Sequence, residues 1–452
     1  MAATCVNQES CDVLALEALP PQSNTAPTSD PPGGFSSLEK WNQPRGNIYR
    51  TFATFWSFLV MGANDAAYGA LIPYLESYYH LSYTIVSLVF LSPLVGYTVA
   101  AFLNHRIHHT LGQRGVAIIG PACHLIAYVI NCLHPPYPVL VVAFVFAGLG
   151  NGLEDAAWNA WIGNMANANE VLGVLHGIYG AGAVISPLVA TSIIAKGGLP
   201  WYYFYYVMVS EGFSQILDPE LINQIGCAAL ELVVSGTCFW KSTAADFRAS
   251  NVPSAENNKG GLRHALFQRP AARVTWLCAL FLLGYVGVEV ALGGWIVTFM
   301  MRVRQGSAFA SGMTATGFWL GITVGRVILG FVTPRVGEKV AISVYIVCSM
   351  GFALILWLVP QFYASAVAVS LQGFFLGPLF PGTVVMVTKL LPRHLHVTSI
   401  GFVAAFGGSG AAILPFAVGV LAQAKGSESV AAIYHCSVRC HSRYVAGIAA
   451  GV

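Results

Sequence analysis

Gly180-Ala181-Gly182-Ala183-Val184-Ile185-Ser186-Pro187 and Gly408-Ser409-Gly410-Ala411-Ala412-Ile413-Leu414-Pro415 carry glycine, glycine and proline at matching positions, 228 residues apart (408 minus 180). Other glycines repeat at nearly the same offset. Gly96 and Gly112 recur as Gly321 and Gly337, shifted by 225 (321 minus 96). Gly148 and Gly152 recur as Gly373 and Gly377 at that same shift. All lie in or beside long apolar runs. Matches in three separate segments imply two similar halves. A membrane protein built from two such halves is the plan of a secondary transporter, which works between them.

The composition agrees with lipid as the main solvent. Of 452 residues, 56% are hydrophobic and only 9% are charged. Mean hydropathy is +0.65. An ordinary soluble domain carries about 25% charged residues. The net charge of +3 is too small to suggest nucleic acid. The ten cysteines are scattered, mostly in apolar runs, and read as small buried hydrophobes. His435, Cys436, Cys440 and His441 only faintly resemble metal ligands, so no metal and no cofactor are expected.

A spanning helix needs about 20 mostly apolar residues. Candidate spans run over 51–75, 84–104, 114–133, 138–163, 170–195, a broken one across 201–240, then 274–300, 309–332, 339–359, 363–390 and 397–424. A twelfth at 430–452 is interrupted by Arg439, His441 and Arg443. The fold expected is therefore all-α and polytopic, with twelve helices in a six-plus-six, two-bundle arrangement. Residues 1–48 read as a flexible cytosolic tail rich in Pro, Gly, Ser and Thr. Residues 49–240 form the first bundle, 241–273 a cytosolic central loop, and 274–452 the second bundle. Helix six and the last helix look corrupted. Residues 210–225 interrupt helix six with Glu211, Asp218-Pro219 and Glu220, and read as an insertion from a retained intron.

Loop charges orient the chain. With the N-terminus inside, fifteen lysines and arginines, among them Lys40, Arg45, Arg50, Arg106, Arg114 and Arg335, fall in cytosolic segments. Lys196, Arg302, Arg304 and Lys425 fall opposite. That asymmetry satisfies the positive-inside rule. The expectation is a multi-pass monomer of the plasma membrane whose partners are lipid, protons and a small molecule.

Charged side chains at membrane depth cost roughly 2.5–3.5 kcal/mol each on insertion scales, so they demand a reason. Asp65 lies mid-span in Met61-Gly62-Ala63-Asn64-Asp65-Ala66-Ala67-Tyr68-Gly69. Glu154 and Asp155 lie mid-span in the fourth helix and Glu289 in the seventh. Carboxyl groups in low dielectric can take up and release protons near neutral pH, so these four are proton-coupling candidates. Helical spacing adds neighbours. Asn151, Glu154, Trp158 and Trp161 share one face of the fourth span; Asn151, Asp155 and Asn159 share the flanking one. Asn64 precedes Asp65, and Tyr68 shares its face. His176 pairs with Tyr179 in span five, and Tyr285 with Glu289 in span seven. Acids, amides, phenols and indoles together suit a solute with hydroxyls and an apolar body.

Gly325-Arg326 opens the stretch Gly325-Arg326-Val327-Ile328-Leu329-Gly330-Phe331-Val332-Thr333-Pro334-Arg335-Val336-Gly337-Glu338-Lys339. It resembles the signature loop of the major facilitator superfamily. Its degenerate counterpart in the first half is Leu111-Gly112-Gln113-Arg114. The resemblance implies that Arg114, Gly325, Arg326 and Arg335 act as a conformational gate, with basic side chains bonding helix C-termini. Asn64-Asp65 and Leu153-Glu154-Asp155-Ala156-Ala157-Trp158-Asn159 resemble the fucose-permease-type branch of that superfamily. There an aspartate of helix one and a glutamate of helix four serve proton coupling and sugar binding, which by position are Asp65 and Glu154. The disordered tail and interrupted helices look like a fungal member.

The reading is a proton-coupled transporter working by alternating access. The indole face departs from the sugar pattern and favours efflux of a secondary metabolite; sugar uptake by proton symport is the alternative. The chain carries no His-Glu-x-x-His, Gly-x-Ser-x-Gly or phosphate-binding Gly-x-x-x-x-Gly-Lys pattern, so enzymatic chemistry is not expected. A non-transporting membrane sensor is the remaining class.

Overall fold

The computed structural model describes residues 39–166, 168–209, 226–250, 265–392 and 395–426. The suspected insertion 210–225, most of the expected tail, and the chain end 427–452 with its His and Cys residues lie outside them. Every membrane-length stretch among the described residues is helical, as a bilayer requires, because a helix satisfies every backbone group within its own segment.

In the first half, α1 is Gly46–Tyr79, α2 Tyr83–Val86, α3 Leu88–Leu111, α4 Gln113–Cys132, α5 Tyr137–Gly163 and α6 Ala168–Thr191. A π-helical turn, Ser192–Lys196, extends α6. The sixth span holds α7 (Tyr203–Val209) and α8 (Cys227–Cys238), and a short α9 (Ala244–Ser250) follows. The second half runs α10 (Ala271–Arg302), α11 (Ala308–Val336), α12 (Glu338–Leu358), α13 (Phe362–Leu376), α14 (Leu379–Leu390) and α15 (His396–Lys425). Nine helical stretches among the described residues are long and apolar enough to cross a membrane, with α2–α3 and α13–α14 each acting as one. At 34 residues α1 is also long enough, but its inward side buries Asn47, Thr51, Thr54, Ser57 and Asn64.

The two halves pack alike. In the first, α1 lies on α6, α3 on α5 and α4 on α5; in the second, α10 lies on α15, α11 on α13 and α12 on α13. The repeated glycines explain the sequence match. A Cβ on Gly96 would sit 2.2 Å from the Val145 carbonyl oxygen; one on Gly321 would sit 2.1 Å from that of Ser370. Gly182 meets Leu59 and Gly410 meets Leu283 in the same way, at 2.2 and 1.9 Å. In lipid no hydrophobic force drives helices together, so close backbone approach at small residues supplies the packing. Gly112 (φ 77°) and Gly337 (φ 93°) turn the chain between consecutive helices at equivalent points, in left-handed backbone that favours glycine.

One boundary differs from the expectation. Residues 39–48 are not loose tail. The Glu39 carbonyl accepts from the Ala166 N–H at 2.9 Å, and its carboxylate accepts from Asn47 Nδ2 at 2.9 Å. Thus Gly46 already opens α1.

Contacts between the halves run from mid-span towards the face away from the start of α1. A Cβ on Gly69 of α1 would sit 2.0 Å from the Gly293 carbonyl of α10. Gly180 of α6 abuts Thr323 of α11, and Gly312 of α11 abuts Thr191. At the far face Glu76 pairs with Arg302 at 3.5 Å, the Tyr83 N–H donates to Gln423 Oε1 at 3.0 Å, and Lys196 lies 3.9 Å over the Phe309 ring. This far face is therefore drawn shut between α1 and α10 and between α6 and α11.

Candidate functional site: a polar hollow between the halves

Asp65 is the hub of the first half. Its Oδ1 accepts from Asn64 Nδ2 at 3.1 Å and from Asn151 Nδ2 at 3.0 Å. Its Oδ2 accepts from the Tyr179 hydroxyl at 3.0 Å. One carboxylate thus ties α1, α5 and α6 together. Asn64 also donates to the Tyr68 hydroxyl at 2.8 Å. These five residues, read from separate stretches, converge.

Next to them, Asn159 Nδ2 donates to Asp155 Oδ1 at 2.8 Å, and Asn159 Oδ1 faces His176 Nε2 at 3.1 Å. The His176 ring stands edge-on to Phe58, centroids 5.6 Å apart. Asp65, Asp155, Asn159, His176 and Tyr179 all keep water-accessible surface despite lying mid-span. Polar side chains at membrane depth face the bundle interior or a cavity rather than lipid.

The second half faces them with an ion pair. Arg326 Nη2 bonds Glu289 Oε1 at 2.8 Å, Arg326 Nε bonds the Gly377 carbonyl at 3.3 Å, and the Tyr285 hydroxyl donates to Glu289 Oε2. Arg326 lies within electrostatic reach of His176 and Tyr179 across the divide. This corrects one expectation. Arg326, expected at a helix-end gate, lies within α11 and partners Glu289. The proton-coupling candidate Glu289 is thus met by a guanidinium. Sequence spacing cannot show a pairing across 37 positions.

Two of the remaining gate candidates lie at helix ends. Arg335 Nη1 bonds the Phe331 carbonyl at 2.8 Å in the last turn of α11. Arg114 Nε bonds the carbonyl of Leu111, the last residue of α3, at 3.2 Å. Gly325 serves packing: a Cβ there would lie 2.0 Å from the Phe374 carbonyl.

The indole face is also corrected. Trp158 is fully buried and stacks on Phe239 at 4.5 Å; Trp161 packs edge-on to the same ring at 5.3 Å. The face carrying these rings turns into the first half, against the link from α8 to α9. Glu154, also fully buried, turns the same way and lies beside His124 of α4 and Glu231 of α8. Neither His124 nor Glu231 was singled out from sequence. Glu231 stands in Ala228-Ala229-Leu230-Glu231-Leu232-Val233, an acid within an apolar run, and that signal could have found it.

The sequence matches the Major Facilitator Superfamily over residues 54–212 and 276–437. The chain belongs to this superfamily. It is 29% identical over 402 residues to Bypass of stop codon protein 6 of Saccharomyces cerevisiae, covering 82% of this chain and 77% of the yeast protein. It is 22% identical over 370 residues to the glucose/mannose transporter GlcP of Bacillus subtilis, covering 80% of this chain and 85% of the other. The crystal structure of a D-xylose–proton symporter superimposes with a TM-score of 0.66 at 14% identity, covering 88% of this chain and 97% of the symporter. At that identity the likeness speaks to the fold, which is that of a multi-pass membrane transporter.

Proposed function

We propose that this superfamily member moves a small hydroxylated solute, a sugar or a molecule of that kind, together with protons, by closing its two halves alternately around the hollow. The observation that carries this reading is Asp65. It is a half-buried carboxylate at membrane depth with no cationic partner among the described residues, and its hydrogen bonds tie α1, α5 and α6 together. An ionised carboxylate only accepts hydrogen bonds, whereas a protonated one can also donate. A proton on Asp65 therefore changes its bonds to Asn151 and Tyr179 and shifts how α1, α5 and α6 are held. The Arg326–Glu289 pair opposite offers donors and acceptors to the far side of the same solute.

The sequence favoured efflux because of an indole face. With Trp158 packed inside the first half, what remains on the hollow is amide, phenol, imidazole, carboxylate and guanidinium. Such groups suit a polyhydroxylated solute, and the naming of a relative as a glucose/mannose transporter supports the same class. Uptake by proton symport is the direction we adopt. With the start of α1 on the cytosolic side, as the loop charges favour, the closed far face is the outer one.

The test is flux in proteoliposomes holding the full-length protein, with radiolabelled D-glucose and D-mannose and an imposed proton gradient. Accumulation should follow the gradient and collapse with a protonophore. Asp65→Asn should retain downhill exchange and lose accumulation. Accumulation unchanged by Asp65→Asn would overturn the coupling. Binding of sugar without any flux would favour a sensor.

A further inference from the structure

His124, Glu154 and Glu231 converge from α4, α5 and α8, with one ligating atom of each within 4.8 Å of the others. All three side chains are fully buried. Around a four-coordinate zinc, with bonds of about 2.0–2.2 Å, ligand atoms lie about 3.4 Å apart. His124 Nδ1 and Glu231 Oε2 are already 3.0 Å apart. No pair needs to close by more than about 1.4 Å (4.8 minus 3.4), which side-chain rotation supplies. Two glycines leave room for the ligands: a Cβ on Gly120 would lie 2.6 Å from Glu154 Oε1, and one on Gly150 would lie 2.6 Å from His124 Nε2.

Charge and bonding capacity both call for a cation. Two ionised carboxylates and a neutral imidazole carry two negative charges. No lysine or arginine among the described residues pairs with either glutamate. Uncompensated charge in a buried site is strongly unfavourable. A divalent ion cancels it. Protons would cancel it too, but they would leave Glu154 with a hydroxyl and a carbonyl that both lack a partner, because neither of its oxygens makes a hydrogen bond. Glu231 Oε1 and His124 Nε2 are likewise buried and unpartnered. A coordinated ion takes up such atoms directly. One imidazole nitrogen with carboxylate oxygens is a zinc donor set, and a second oxygen of a glutamate completes four-fold coordination. Magnesium and calcium require six or more ligands, chiefly oxygen, and fit poorly.

We propose that His124, Glu154 and Glu231 bind a structural zinc ion that staples α8 to α4 and α5. The need for a staple lies in the sixth span. At 12 residues α8 is about 18 Å long, well short of a bilayer core of about 30 Å. Its side packs on α4 and α1, with the Trp56 indole donating to the Cys227 carbonyl at 3.0 Å and the Ser57 and Ser235 hydroxyls 3.4 Å apart. Glu231, near its middle, is the one place where α8 offers a charged ligand to two longer helices. Ligands drawn from three helices exist as a set only in the folded chain, so zinc affinity becomes folding stability. On this reading Glu154 is a ligand and coupling stays with Asp65. The site rests on none of the transport reading above.

The experiment is elemental analysis of the full-length protein, produced in zinc-supplemented medium and purified into nanodiscs through a tag free of histidine, together with zinc X-ray absorption. The expected result is about one zinc per chain, kept in Asp65→Asn and falling at least about tenfold in Glu231→Gln and His124→Gln. Absorption should show one imidazole nitrogen and otherwise oxygen ligands, at about 2.0–2.2 Å. That measurement uses the unaltered chain, which keeps the test open if the variants fail to fold. Exposed His105 and His109, one turn apart on α3 with ring centroids 6.2 Å apart, are the competing zinc ligands. A spectrum with two imidazoles, or zinc lost in His109→Ala, overturns the assignment. So does zinc retained in folded Glu231→Gln, or a chain that stays free of zinc when the ion is supplied. Prolonged chelation should lower the Tm of the unaltered chain and leave that of Glu231→Gln unmoved; equal shifts in the two would overturn the staple.

Discussion

Replacing Gly69 by alanine should push the two halves apart at the far face. The new Cβ would lie 2.0 Å from the Gly293 carbonyl oxygen and 3.2 Å from Gly294 Cα. A methyl needs roughly 3 Å or more from a backbone oxygen, so α1 and α10 must separate by about 1 Å. The contact is backbone on backbone, and no flexible side chain can yield. Overpacking of this sort costs roughly 1–3 kcal/mol. Because the contact joins the halves, that cost falls on the closed far face and not on either bundle. A penalty of 1–3 kcal/mol shifts a two-state population roughly 5- to 150-fold. The assay is pulsed electron-spin distance measurement between labels at Tyr78 and Tyr363, on a background without native cysteines. Both positions are exposed at the far face, one in each half. The distribution should move to longer distances. Gly96→Ala is the control: its Cβ would meet the Val145 carbonyl at 2.2 Å inside the first half, so it should lower Tm without lengthening the distance. An unchanged distribution in folded Gly69→Ala would refute the claim that this contact holds the far face shut.

Glu289→Gln removes the partner of an arginine whose side chain is only 22% exposed. Discounted for that partial exposure, the loss should be about 1–3 kcal/mol, read as a lower Tm, and Arg326→Met in the same chain should restore part of it. Trp158→Ala should cost roughly 3–5 kcal/mol of stability through the cavity beside Phe239, with solute selectivity in the surviving protein unchanged. A normal Tm with altered selectivity would return Trp158 to the hollow. The Glu76–Arg302 pair joins side chains 17% and 48% exposed, so Arg302→Ala should weaken far-face closure by under about 1 kcal/mol, an effect that fades in high salt.

Some of this protein was legible in the chain. The bilayer as solvent sets span length and apolar content, so most candidate spans reappear as helices. The repeated glycines mark backbone approaches that tolerate no Cβ, so a one-dimensional pattern carried a three-dimensional constraint. Asn64, Asp65, Tyr68, Asn151 and Tyr179 were also readable, because polar groups in apolar runs are few and each needs a partner. Tertiary structure alone decided which way each helix turned. In lipid, the bundle-facing and lipid-facing sides of a helix are both apolar, so periodicity does not reveal rotation. That is why Trp158 could pass for a residue of the hollow while packing on Phe239. It is also why Glu289 found Arg326, and why Glu154 met His124 and Glu231, only when separate helices were brought side by side.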